Sequence, residues 1–216
     1  MNIALIGASG FVGSNLLTEA LSRGHHVTAI VRNPEKITIT HPNLTVKKGD
    51  ATNPSELAAL VSGHDLVLSA INDRQVPNQY DTYLNGSRAV LEGVKKSGVK
   101  RFIVIGGAGS LEIAPGVQLV DTPQFPEEYK REAQAARDFL NVVRKEDGLD
   151  WTFFSPAILM HQGIKDGRTG KYRLGTDQPV FNEQGESRLS GEDLAVAILD
   201  EVDNKKFIRK RFTAAY

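Results

Sequence analysis

Apolar and polar positions along the chain alternate between two patterns. Short runs rich in β-branched residues stand at NIALI (2–6), HVTAIV (26–31), LTVKKG (44–49), DLVLSAI (65–71), RFIVIGG (101–107) and DWTFFSP (150–156). Runs of this length and apolarity read as parallel strands buried on both faces. Between them, apolar residues recur at helical spacing over Phe11–Arg23, Pro54–Ser62, Asp81–Ser97 and Glu127–Arg144. The second of these opens with Asn53, Pro54 and Glu56, residue types that cap a helix, start its first turn and close a capping box. Strands alternating with helices predict an α/β fold, a Rossmann-like doubly wound parallel sheet with right-handed crossovers.

Two stretches break the alternation. Residues 107–126 (GAGSLEIAPGVQLVDTPQFP) are rich in Gly and Pro, and residues 162–190 carry the turn-forming segments GRTGKYRLG and NEQGESRLS. The first predicts a long loop and the second a set of hairpins, together a small C-terminal substrate-side lobe. Both follow the carboxyl ends of predicted strands, the edge at which open α/β sheets bind ligands. No linker or repeat divides the chain, so residues 1–216 read as one domain.

Gly7, Gly10 and Gly13 fall between the first strand and the first helix at G-x-x-G-x-x-G spacing. In that context Gly7 turns the chain sharply, Gly10 lets backbone approach a pyrophosphate, and Gly13 lets the helix pack closely on the sheet. The stretch Gly7, Ala8, Ser9, Gly10, Phe11, Val12 and Gly13 is therefore read as the phosphate loop of an NAD(P)-binding domain. The second strand ends in Arg32, where an NAD site usually carries an acid for the ribose 2′-hydroxyl. A cation there suits the 2′-phosphate of NADP, with Asn33 and Lys36 as helpers; a solvated strand-end arginine is the competing reading. Asp50 and Ala51 end the third strand and are placed to edge the adenine, although Asp50 serves equally as a turn-former after Gly49. Ser69, Ala70 and Ile71 end the fourth strand, over the middle of the cofactor. NADP(H) is the preferred cofactor, with NAD(H) as the lesser alternative.

Composition and charge narrow the partners. Lys plus Arg and Asp plus Glu are both 26, so net charge gives no reason to expect nucleic acid. No cysteine is present, which removes disulfides, thiolate metal sites and cysteine nucleophiles together and suits a reducing compartment. His25 and His26 are adjacent in a strand and point to opposite faces, so no metal site is assigned. No apolar run approaches the roughly 18 residues of a membrane span, and the N-terminus lacks a signal core. A cytoplasmic monomer or homodimer with no membrane partner is expected. The basic segment NKKFIRKRF (204–212) reads as a last strand with solvated charges.

GASGFVG (7–13), Arg32, GDATN (49–53), LVLSAI (66–71), NGSRAVLEGVKKSGVKRFIVIGG (85–107) and SRLSGEDLAVAILDEV (187–202) together resemble one family. It is that of the atypical short-chain dehydrogenase/reductases with an NAD(P)H-binding, NmrA-like domain, nearest to bacterial NADH-flavin reductases and the flavin/biliverdin reductase group. The resemblance spans essentially the whole chain. Relatives that reduce ordinary ketones use a Ser after the fifth strand and a Tyr-x-x-x-Lys pair on the next helix. Here Gly106 and Gly107 stand where that Ser would be, and Ser110 comes later. Lys130 is similar to the family's helix lysine, but Pro126 stands four residues before it and Tyr129 is its neighbour. Adjacent helical residues point about 100° apart, so Tyr129 and Lys130 do not form such a pair.

That departure selects among substrates. Hydride addition to a ketone develops an alkoxide that needs a positioned acid. A flavin, quinone or biliverdin-like acceptor spreads the charge and takes its proton from water, so a flat stacking pocket suffices. Candidate pocket residues are Ser110, Leu111, Phe125, Tyr129, Phe154, Ser155, Pro156, His161 and Tyr172; Phe154 suits the core as well, and His161 an exposed loop. The candidate catalytic residues are Lys130, as a contact to the nicotinamide ribose, with Ser110 and Tyr129; Gly106, Gly107 and Pro156 complete the cofactor set. The expected function is an NAD(P)H-dependent reductase of a planar conjugated acceptor. The alternative is a redox sensor that binds NADP(H) without turnover, and an isomerase or epimerase would need an acid/base not located in the chain.

Overall fold

The computed structural model describes residues 1–72 and 77–216. Its first half alternates β1 (Asn2–Ile6), α1 (Phe11–Ser22), β2 (His26–Val31), β3 (Leu44–Lys48), α2 (Pro54–Val61), β4 (Leu66–Ser69), α3 (Gln79–Ser97) and β5 (Arg101–Ile105). The second half adds a short hairpin, β6 (Glu112–Ala114) with β7 (Val117–Gln118), then α4 (Glu127–Val143) and β8 (Asp150–Phe154). It closes with β9 (Arg173–Gly175), α5 (Gly191–Asn204) and β10 (Lys210–Ala215). At the start of α2 the Asn53 side chain accepts from the Ser55 and Glu56 amides, both at 3.2 Å. Glu56 does not reach back to Asn53 but takes the Asp50 amide at 3.2 Å, so the capping box is half-formed.

Eight strands form one sheet in the order β3-β2-β1-β4-β5-β8-β10-β9, parallel throughout except for β9 at the edge. Side chains alternate across it. Ile3 and Leu5 enter a core shared with α1 and α5, whereas Ala4 and Ile6 enter one shared with α2, α3 and α4. Burial on both faces explains why these strands carry so few polar residues. The strand order reverses between β1 and β4, which opens the crevice that such sheets use for ligands.

Three expectations are corrected. The stretch 162–190 does not fold into hairpins; it holds one described strand, β9, which pairs with β10. The stretch 107–126 is not all loop, because it contains β6, β7 and turns at Ala108–Ser110 and Leu119–Asp121. The last strand begins at Lys210, lies inside the sheet between β8 and β9, and is not a solvated edge. Its Arg211 is buried because Asp177, from the distant turn after β9, meets the guanidinium there together with the Ser110 carbonyl at 2.9 Å. Helix α5, unassigned in the pattern reading, is buried along most of its length, which obscures its amphipathic period.

A buried ion pair fastens α5 beneath the sheet. Glu201 accepts from Arg101 Nη2 at 2.7 Å, Thr152 Oγ1 at 3.1 Å and the Lys206 and Phe207 amides. Burial drives the Arg101 pKa down, against the pull of Glu201. Losing the carboxylate would strand a buried guanidinium and two amides. Glu201→Ala is therefore expected to cost about 3–5 kcal/mol in urea unfolding; a loss below about 1 kcal/mol would show that Arg101 finds water instead.

Candidate cofactor and active site

The turn between β1 and α1 separates its three glycines by purpose. Gly7 has φ +82°, and a Cβ there would lie 2.6 Å from the Ala70 carbonyl oxygen. At Gly13 a Cβ would lie 2.0 Å from the Gly7 oxygen, so α1 packs on the turn only without a side chain. Gly10 is different. Its backbone is ordinary, with φ −80°, and its nearest neighbour to a Cβ would be the Gly7 oxygen at 3.5 Å, an unstrained contact. Nothing in the protein's own packing demands glycine at position 10.

What lies beside Gly10 is a cleft of about 420 Å³, bordered on this side by Ser9, Gly10 and Phe11. Helix α1 meets it with bare amides. Helices α2, α3 and α5 are capped by Asn53, Asn78 and Ser190, and α4 carries Glu127 and Glu128 in its first turn. Among the described helices α1 alone has neither a side-chain cap nor an acid there. Unpaired amides and an uncompensated helix dipole suit an anion, and a missing side chain at Gly10 suits close approach of a bulky one.

Next along the sheet edge, Arg32 is exposed at the end of β2, followed by the turn Pro34–Lys36 with Asn33 and Lys36 also exposed. Asp50 follows β3 close enough to Arg32 to feel its charge; its carboxyl is held low mainly by the Thr52 amide and hydroxyl. Ala51 is half-buried beside it. Past the glycine turn, Ser69 ends β4 and Ala70 follows it, Ile71 is half-buried, and Asn72 Nδ2 donates to Glu132 Oε1 of α4 at 2.7 Å.

The β5 end explains why no serine stands there. A Cβ at Gly106 would lie 2.1 Å from the Phe153 ring, which is fully buried, and one at Gly107 would lie 3.3 Å from Ala136 Cβ. The three candidate catalytic residues have different surroundings. Ser110 is buried, its hydroxyl oxygen taken by Arg211 at 3.1 Å and its carbonyl by the same guanidinium. Lys130 Nζ pairs with Glu127 at 3.4 Å, on the side of α4 where Arg137 holds Asp121. Tyr129 is 45% exposed and heads the stripe of Ala133 and Ala136 that meets Gly109 and Gly107.

The remaining pocket candidates divide. Leu111, Phe154, Ser155 and Pro156 are buried, Phe154 edge-on to Phe212 at 4.9 Å between ring centres. Phe125 is half-buried, and His161 is exposed, its ring accepting from the Gly163 amide at 3.0 Å. Tyr172 points to α5, where burial and Asp200 raise its pKa, so it lies on the α1/α5 side of the sheet and away from the α4 stripe. Pattern reading missed the far side of the cleft, formed by Gln162, Lys165, Gly167 and Glu192. It also missed the pins that hold that side. Glu19 takes Arg168 through both oxygens, and Asp193, fully buried, takes the Thr169 and Gly170 amides. The Arg168 hydrogen bond keeps the Glu19 carboxyl below its ordinary range.

A Rossmann sheet with an open crevice, an anion-ready helix end and a cation beside the second strand fits an NAD(P)H-binding protein. A family model described as NAD(P)H-binding matches residues 7–205, and the chain belongs to that family. It is 37% identical to the Bacillus subtilis protein YwnB over 216 residues, 99% of this chain and 97% of that one. A Bacteroides thetaiotaomicron structure described as an epimerase matches with TM-score 0.92 and 47% identity, over 100% of this chain and 96% of that one. A Streptococcus pneumoniae structure described as an NADH-flavin reductase matches with TM-score 0.86 and 33% identity, over 100% and 99%. The chain spans about half the length, 52%, of the mycobacterial 3β-hydroxysteroid dehydrogenases it matches. No helix among the described residues is long and apolar enough to cross a membrane.

The separate purposes of the glycines are testable together. Gly10→Ala is expected to keep stability within about 1 kcal/mol of the parent while weakening NADP⁺ binding at least about tenfold. Gly13→Ala, by contrast, should unfold at markedly lower temperature. Equal binding by the parent and Gly10→Ala in calorimetric titration would remove Gly10 from the phosphate site.

Proposed function

We propose that the protein is an NADPH-dependent reductase of a planar conjugated acceptor: a free flavin, a quinone or a biliverdin-like tetrapyrrole. The observation that carries this reading is the β5 end, where the buried Phe153 ring leaves no room for a side chain at position 106. Arg211 occupies Ser110, and Tyr129 stands beside Lys130, not one turn before it. A ketone reductase needs a hydroxyl acid in this place; a conjugated acceptor does not.

When bound, the nicotinamide supplies two electrons and one hydrogen as hydride, and water supplies the proton that completes the acceptor's reduction. The chain's own residues bind and orient. Arg32, with Asn33 and Lys36, takes the 2′-phosphate; Asp50 and Ala51 edge the adenine. Ser69, Ala70 and Ile71 lie over the middle of the cofactor, and Gly106, Gly107 and Pro156 complete its lining. Tyr129, exposed at the head of the stripe facing Gly107, offers a ring for the acceptor to stack on. Lys130 contacts the ribose, and its present partner does not hold it back. Glu127 is 85% exposed, and such surface pairs are worth roughly 1 kcal/mol or less. All of these residues belong to one chain, so a monomer or a homodimer serves equally, and the lack of cysteine suits the cytoplasm.

With purified protein and NADPH, loss of absorbance at the nicotinamide band is expected with FMN, riboflavin or menadione and not with cyclohexanone. Arg32→Ala should reduce the preference for NADPH over NADH about tenfold or more, the value of a charge-assisted phosphate contact. Tight NADPH binding with no turnover on any acceptor would contradict the proposal and favour a redox sensor. Turnover of cyclohexanone would point to an acid among the residues near Tyr129.

A further inference from the structure

The side of the cleft facing the glycine turn is a segment without regular secondary structure, yet it is firmly held. Residues 162–170 are Gly-rich and exposed for the most part, which ordinarily makes a mobile surface loop. Here two carboxylates drawn from the core anchor it. Glu19 on α1 binds Arg168 Nε and Nη2 at 2.8 and 2.9 Å. Asp193 on α5 binds the Thr169 amide at 3.1 Å, the Gly170 amide at 2.7 Å and the Thr169 hydroxyl. Ser190, the cap of α5, donates to the Gly167 carbonyl at 2.7 Å. Asp193 is itself fixed by the Ser190 hydroxyl and the Tyr216 hydroxyl. Glu19 also holds Arg23 Nε of its own helix at 2.8 Å, so it ties the loop to α1, while the fully buried Asp193 faces the loop and the α5 cap; burying a carboxylate against loop amides is costly unless the position of the loop matters.

What the anchored loop carries into the cleft is Lys165, the one cation among its lining residues. Its neighbour Asp166 is turned aside to Arg188 at 2.9 Å, so it does not cancel the lysine. Glu192 is the one acid lining the same cleft. We propose that residues 162–170 form a fixed strap over the dinucleotide's phosphates. In this strap Lys165 is a pyrophosphate-binding residue, and the Glu19-Arg168 and Asp193-Thr169 contacts are its positioning elements. Arg32 reads the 2′-phosphate and so separates NADPH from NADH. Lys165 meets the group that both share and raises affinity for each alike. The inference rests on the NAD(P)H-binding site and not on which acceptor is reduced, so it stands or falls independently of the reductase reading.

The test is calorimetric binding of ADP-ribose, NAD⁺ and NADP⁺, with no turnover involved and circular dichroism melts as the folding control. ADP-ribose has the pyrophosphate without the nicotinamide or the 2′-phosphate. Lys165→Ala is expected to weaken all three by the same factor, about tenfold, and to flatten the dependence on salt. Glu192→Gln should tighten all three severalfold. Arg168→Ala, which leaves Lys165 in place, should also weaken them, and should add little once Lys165 is already alanine. Two results would overturn the proposal: ADP-ribose binding by Lys165→Ala within about twofold of the parent, or full additivity of the Arg168 and Lys165 losses, which would show that the strap does not act through the lysine.

Discussion

The contact on which the molecule depends is the one between Gly13 and the Gly7 carbonyl, where helix α1 lies so close to its turn that no Cβ fits. That closeness sets the helix end at the crevice between β1 and β4 and leaves its first amides facing open space. Gly7 secures the turn against Ala70 at the end of β4, so the two strands flanking the crevice and the helix above it are locked as one unit. A phosphate site then needs no dedicated side chain from the turn itself. Gly10 contributes by having none.

From this anchor the chemistry is decided by packing at the neighbouring strand ends. Phe153 fills the space that a side chain at position 106 would need, and Arg211 draws Ser110 down into a network with Asp177. The buried arginine thus holds Ser110 in the interior. It is also a case where one residue of the last strand ties together three segments far apart in sequence. The other face of the sheet uses the same device with opposite polarity, as Glu201 gathers Arg101, Thr152 and the amides after α5. Buried charge in this protein serves to fix the relative positions of elements more than to add net stability.

The legible part of the fold was the part with clean periodicity. Strands β1, β2, β4, β5 and β8 are largely apolar on both faces, and α1 to α4 carry one polar face each, so both periods stand out; β3, at the sheet edge, instead exposes Thr45, Lys47 and Lys48 and is not buried on both faces as its run suggested. Helix α5 is buried nearly all round and β10 begins among lysines and arginines, so neither shows its period. The glycine turn was legible because a strand-turn-helix glycine pattern has few other uses, and the strands that follow it set Arg32 and the strand-end residues along one sheet edge. Lys165 was not, because its place in the cleft is created by Glu19 and Asp193, which lie 146 and 28 residues away in sequence. Ser110 was misleading for the same reason: its partner Arg211 stands 101 residues on.

In the proposed reaction, hydride reaches the acceptor without a proton from a protein side chain. This is tested most directly by single-turnover stopped-flow reduction of menadione by the protein-NADPH complex across about pH 5.5 to 8.5, with deuterium at the transferred position. A primary isotope effect and a transfer rate that stays flat over that range are expected. A rate that titrates with a single pKa within it, and loses that dependence when Tyr129 or Lys130 is replaced, would show that a side chain supplies the proton and would identify the acid.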